Sequence, residues 1–105
     1  MYKFGVITDH ETATGFRLAG ADVREAANPQ EALAHLRQFV AANYGLVAVN
    51  EALLEGTADE RARLLRGLDL PIIVPFPAPT AEIESGEAYV QRLVKEHIGF
   101  YVKLR

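Results

Sequence analysis

The chain reads as an α/β domain built on a four-stranded parallel sheet of order 2-1-3-4, flanked by helices and followed by a C-terminal helical arm. Three observations predict this. Strand-like and helix-like segments alternate strictly along the first three-quarters of the chain, and helical crossovers imply parallel strands. Three of the strand-like runs, Phe4–Ile7, Leu46–Val49 and Ile72–Val74, are apolar on consecutive residues, as suits strands covered by helices on both faces. The remaining run, Asp22–Ala26, alternates polar and apolar side chains and is second in sequence, which puts it at an edge.

Each element has its own local signal. After the first strand, a short helix is expected from about Thr12 to Ala19, with Gly20 as its stop. Asn28-Pro29-Gln30-Glu31 offers an Asn N-cap, a proline at the first helical position and a glutamate able to reach back, so a second helix starts there. Leu33, Leu36 and Val40, with Ala32 and Phe39 beside them, give that helix one buried stripe until Asn43 and Gly45 end it; His35 falls opposite the stripe. Thr57-Ala58-Asp59-Glu60 repeats the capping pattern and predicts a third helix to about Gly67. Pro71 and Pro75 flank the last apolar run, which therefore forms the opposite edge or ends at Pro75. The whole is a truncated flavodoxin-like or receiver-like sandwich over residues 1–76.

A proline-rich connector, 77–84, leads to the arm, 85–105. Two neighbouring apolar stripes run along that arm: Val90, Val94, Tyr101 and Leu104 on one, Tyr89, Leu93 and Phe100 on the other, with Ile98 also apolar. A helix packed only on its own small domain needs one stripe, so the second predicts a further surface, such as another subunit's helices.

Composition narrows the chemistry. The 105 residues carry 14 acidic against 11 basic side chains and no cysteine. That excludes a disulfide framework and thiolate catalysis, suits a reducing, cytoplasmic setting, and leaves no basic excess for nucleic acid. No apolar run approaches the ~20 residues of a membrane span. Neither a cofactor nor a metal is expected.

Ligands of open parallel sheets sit at the C-terminal ends of the strands. At that rim a phosphoacceptor chemistry would need an aspartate ending the third strand and a lysine ending the last; Asn50 and Pro75-Phe76 stand there instead, and an amide cannot form an acyl phosphate. Thr12-Ala13-Thr14-Gly15 is similar to a hydroxyl-rich flavin phosphate loop, but Arg17 replaces a later hydroxyl, and helix capping by Thr12 or Asp9 explains the segment as well. His10, His35 and His97 do not converge on a metal. Arg61, Arg63 and Arg66 read as a solvated helix face.

One stretch is more specific than any of these. Gly5-Val6-Ile7-Thr8-Asp9-His10-Glu11-Thr12-Ala13-Thr14-Gly15-Phe16-Arg17-Leu18-Ala19-Gly20, supported by Pro71-Ile72-Ile73-Val74-Pro75 and Val94-Lys95-Glu96-His97-Ile98-Gly99, resembles the F subunit of V-type and archaeal-type rotary ATPases. His97 and the aromatic end Phe100-Tyr101-Val102 depart from the usual pattern. The resemblance implies a non-catalytic rotor subunit of the central stalk whose arm grips the coiled coil of the D subunit. On that reading the A and B subunits turn over ATP, a connector subunit links the shaft to the membrane ring, and the chain is peripheral on the cytoplasmic face. The partner-binding residues would be Tyr89, Val90, Leu93, Val94, Ile98, Phe100, Tyr101 and Leu104. A stand-alone pseudo-receiver or a small flavin- or nucleotide-binding protein is the competing expectation.

Overall fold

A computed structural model describes residues 3–77, 86–93 and 95. The strands are β1 (Phe4–Thr8), β2 (Asp22–Glu25), β3 (Leu46–Asn50) and β4 (Ile72–Phe76); the helices are α1 (His10–Leu18), α2 (Pro29–Ala41), α3 (Ala58–Leu65) and α4 (Gly86–Leu93), with a 3₁₀ turn at Glu51–Leu54. The sheet is parallel throughout and its order is β2-β1-β3-β4, as the strand patterns predict. Val6 pairs with Val23 on one side and with Ala48 on the other, and Ala48 in turn with Val74.

Because β1 and β3 have neighbours on both sides and helices on both faces, their side chains have nowhere to meet water. Every residue of β3 is buried, and all of β1 after Phe4. Alternate side chains feed two separate cores. On one face Val6, Val23, Ala48 and Phe76 meet Ala13 and Phe16 of α1 and Val90 and Leu93 of α4. On the other, Ile7, Val47 and Val49 meet Ala32, Leu36 and Phe39 of α2, together with Leu53 of the 3₁₀ turn.

Local chemistry sets the boundaries, sometimes differently from what the sequence predicts. Helix α1 begins at His10, not Thr12, because the Asp9 carboxylate accepts a hydrogen bond from the Thr12 amide at 2.8 Å and captures the N-cap position. It ends as expected at Gly20, whose φ of +89° lets the Ala21 amide reach back to the Phe16 carbonyl at 3.1 Å. In α2 the Asn28 side chain accepts from the Glu31 amide at 2.9 Å, and Glu31 reaches back to the Ala27 amide at 3.0 Å. The buried stripe is Ala32, Leu36 and Phe39, rotated slightly from the one expected, so that Leu33 and Val40 flank it half-buried. His35 is consequently not opposite the core; it is half-buried, and its Nε2 donates to the Glu25 carbonyl at 2.9 Å.

The second capping pattern fails. The Thr57 hydroxyl donates to the Leu54 carbonyl at 2.7 Å, so it makes no cap bond to α3. The helix ends at Leu65, short of Gly67, and buries none of its residues fully. Strand β4 does not stop at Pro75 but runs through it to Phe76. An edge strand uses only alternate N–H groups in its single ladder, so a proline is tolerated there.

Gly5 leaves room for the Phe39 ring. A Cβ at Gly5 would lie 2.8 Å from both Cε1 and Cζ of that ring. Gly5→Ala is therefore expected to cost about 1–3 kcal/mol through overpacking. The expected reading is a lower urea midpoint at unchanged slope, with much of the loss recovered in Gly5→Ala/Phe39→Leu.

Candidate functional site

Two regions answer to the sequence-based expectations: the rim at the C-terminal ends of the strands, and α4 with the arm beyond it. The rim is a cleft of about 400 Å³ between the β1–α1 turn, the β2–α2 turn and the 3₁₀ turn, lined among others by Asp9, His10, Glu25, Glu31 and Asn50. In a parallel sheet all these turns converge on one end, which is why residues 41 positions apart, Asp9 and Asn50, meet there.

Its polar groups are already engaged with one another. One Asp9 oxygen holds the Thr12 amide and, at 3.1 Å, the Thr12 hydroxyl, which also hydrogen-bonds the buried Thr8 hydroxyl. The other accepts from the Asn50 amide nitrogen at 3.2 Å. Asn50 is buried, and its carbonyl oxygen accepts from the Ala52 amide at 3.1 Å, opening the 3₁₀ turn. The side chain at the acceptor position is thus a brace between two rim turns, with both ends of its amide in use. The Thr12–Gly15 segment lies inside α1, where Thr12, Ala13 and Gly15 are buried, so its hydroxyl and glycine serve capping and packing rather than an open phosphate cradle.

Glu25, at the end of β2, takes His10 Nδ1 on one carboxylate oxygen at 2.8 Å and Arg17 Nη1 on the other at 2.9 Å. The hydrogen bond from His10, then that from Arg17, hold the Glu25 carboxyl below its ordinary range. No sequence motif signals this triad; it follows from the pairing of β1 with β2. At the opposite end of the sheet, the Tyr44 hydroxyl donates to Asp22, which also accepts from Arg24 at 2.6 Å. The bond from Tyr44 depresses the Asp22 carboxyl, and the same bond raises the Tyr44 phenol. Among the described residues no three His, Asp or Glu side chains are arranged to hold a metal ion.

Helix α4 lies against α1. Of the expected partner-binding residues, Val90 and Leu93 are 0% and 1% exposed, sealed against Phe16 and Phe76 of their own chain. Tyr89 belongs to α4, but its side chain, like Val94, Ile98, Phe100, Tyr101, Leu104 and most of the connector, lies outside the described residues. No helix among the described residues is long and apolar enough to cross a membrane.

The family model of the ATP synthase (F/14-kDa) subunit matches residues 4–94, from the first residue of β1 past the end of α4. The chain belongs to that family. The F subunit of the V-type ATP synthase of Thermus thermophilus is 45% identical over 103 residues, covering 94% of this chain and 98% of the relative. The F subunit of the A-type ATP synthase of Methanocaldococcus jannaschii is 31% identical over 103 residues, covering 96% and 99%. The corresponding V-type F subunit of Fusobacterium nucleatum is 26% identical over 99 residues, covering 94% and 93%. The similarity runs through both the globule and the arm, so the chain aligns with its relatives as a whole.

Two measurements check the rim. In Asn50→Asp a carboxylate replaces the amide 3.2 Å from Asp9. Repulsion raises the pKa of the pair in the folded state, so the fold loses stability as pH rises through that range and regains it in acid. The variant's thermal midpoint should fall well below the parent's at pH 7 and approach it near pH 4, with a loss of about 1–3 kcal/mol at neutral pH. Glu25→Gln tests a shift in the other direction, a carboxyl held low in the parent. The depressed Glu25 carboxyl contributes stability above its ordinary 4.5 that is lost as pH falls through the lower folded value. The midpoint difference between parent and Glu25→Gln should be greatest at neutral pH and vanish in strong acid.

Proposed function

We propose that the chain is a non-catalytic rotor subunit of the central stalk of a V-type ATP synthase, binding the coiled coil of the D subunit through its C-terminal arm. The near-full-length similarity to the F subunits of V-type synthases carries this reading. On it, ATP turnover belongs to the A and B subunits. The D–F pair forms part of the shaft that couples turnover to proton or sodium movement, through a connector subunit at the membrane ring. The protein is peripheral and sits on the cytoplasmic face. The rim supports a structural role: a receiver-like module whose acceptor position is an amide engaged at both ends has no nucleophile to phosphorylate.

The packing of α4 refines how the arm would work. Val90 and Leu93 complete the globule's own core, so they reach a partner only if α4 leaves α1. Ile98, Phe100, Tyr101 and Leu104 follow the packed turns in sequence and are the first to grip the D coiled coil. A stable contact of this kind buries ~1,200–2,000 Å² in total, and the two apolar stripes of the arm supply a large part of that.

Removing residues 81–105 would uncover Phe16 and Phe76 along with deleting the arm, so a shorter truncation separates the two effects. Deletion of 96–105 keeps Val90 and Leu93; its thermal midpoint should stay close to the full chain's. Its affinity for the D subunit, measured by calorimetry, should fall about a hundredfold, equivalent to roughly 2.7 kcal/mol. Undiminished binding, or failure of the full chain to co-elute with the D subunit, would overturn the proposal.

A further inference from the structure

Among the described residues the sheet has two outer strands, β2 and β4, and their edges differ in chemistry. Strand β2 is four residues long, and Asp22, Arg24 and Glu25 are charged. Short length and charged side chains both discourage a further strand from pairing there. Strand β4 has no such protection. Its five residues, Ile72-Ile73-Val74-Pro75-Phe76, carry no charge, and Ile72 leaves 49% of its surface in water. An uncharged, β-branched run at a sheet edge is a template for another chain. The register shows what stands in for charge. The Ile72 amide donates to the Gly45 carbonyl at 3.0 Å, in the ladder that sets Ile72 beside Leu46. Alternate residues of a parallel strand turn both backbone groups to the same side, so Ile72, Val74 and Phe76 face β3 while Ile73 and Pro75 face outward. Pro71 precedes them at the same spacing and Pro77 follows, neither with an N–H. The outward row therefore offers a single donor, the amide of Ile73.

We propose that Pro75, with Pro71 before it, closes the outer edge of β4 to strand addition, and that what it keeps off is a second copy of this chain. A copy is the one strand always present at the chain's own concentration, and an antiparallel meeting of two identical edges is self-complementary about a twofold axis. With one donor on each row, no register gives more than two backbone hydrogen bonds between them. The remaining carbonyls of both rows would lose water without gaining a partner, which costs more than so short a ladder returns. Proline at 75 removes only an outward donor, so the inward amides of Val74 and Phe76 keep their ladder to β3. A threonine there would restore the second donor. With the two strands antiparallel about Ile73, residue 75 of each copy would then stand opposite Pro71 of the other, whose carbonyl can accept.

The test uses the full chain, with sedimentation equilibrium up to about 1 mM and amide hydrogen exchange read residue by residue. The parent should stay at its monomer mass of 11.5 kDa. Its Ile73 amide should exchange about tenfold or more faster than that of Val74, which the ladder protects. Pro75→Thr should self-associate about tenfold or more tightly than the parent, and its Ile73 amide should slow as the dimer forms. Adding Ile72→Lys, which sets like charges across the new contact, should restore the parent's behaviour. Pro75 is exposed, and the thermal midpoint verifies that the variants fold. Pro75→Ala supplies the same N–H should threonine unfold the chain, and the parent's own exchange pattern needs no variant. A protected Ile73 amide in the monomeric parent would overturn the proposal. So would a parent that already dimerises through β4, a folded variant no more associated than the parent, or association that Ile72→Lys leaves intact. None of these readouts involves the D subunit, so the result is independent of the rotor reading.

Discussion

Everything in this fold depends on covering both faces of β1 and β3. Their side chains are buried on either side, so the sheet is stable only with a helical layer on each face, and a chain of 105 residues has few helices to spend on them. Helix α2 and the 3₁₀ turn close one face. On the other, α1 covers part of the sheet, and the Phe16–Phe76 pair, with ring centroids 5.2 Å apart, is sealed by Val90 and Leu93. The start of the arm is therefore not an appendage to a finished globule but the last piece of its second layer.

The strands were legible because two-sided burial writes itself into sequence as runs of consecutive apolar residues, and the exposed edge as alternation. The 2-1-3-4 order follows from those patterns together with the handedness of the crossovers. Helix ends were legible where a cap has no competitor, as at Asn28 and Gly20. They were not where two acceptors compete: Asp9 takes the cap that Thr12 could have supplied, and Thr57 turns its hydroxyl to a carbonyl behind it. The stripe of α2 is rotated slightly from the periodic one, with Leu36 in both, and Phe39 within it packs over Gly5 of β1, a neighbour that the helix's own periodicity does not reveal.

The rim illustrates a different limit. Sequence alone shows that Asn50 stands where a phosphoacceptor would, which says what the site does not do. What the asparagine does instead depends on the juxtaposition of turns far apart in the chain: it ties Asp9 to the 3₁₀ turn. The Glu25 triad and the Tyr44–Asp22–Arg24 cluster arise in the same way, from strand pairing rather than from spacing. In this chain the polar groups at the strand ends serve as internal fasteners.

The burial of Val90 and Leu93 in the core sets a threshold for any process that peels α4 from the sheet. Returning two such side chains to water costs about 3–6 kcal/mol, so the unlatched form of the isolated chain is populated at roughly one part in a hundred to one in ten thousand. A partner that needs the released helix would bind more weakly by that same ratio than its contacts alone would allow. The affinity of such a partner could then be tuned by substitutions on α1, simply by loosening or tightening the seat of the latch.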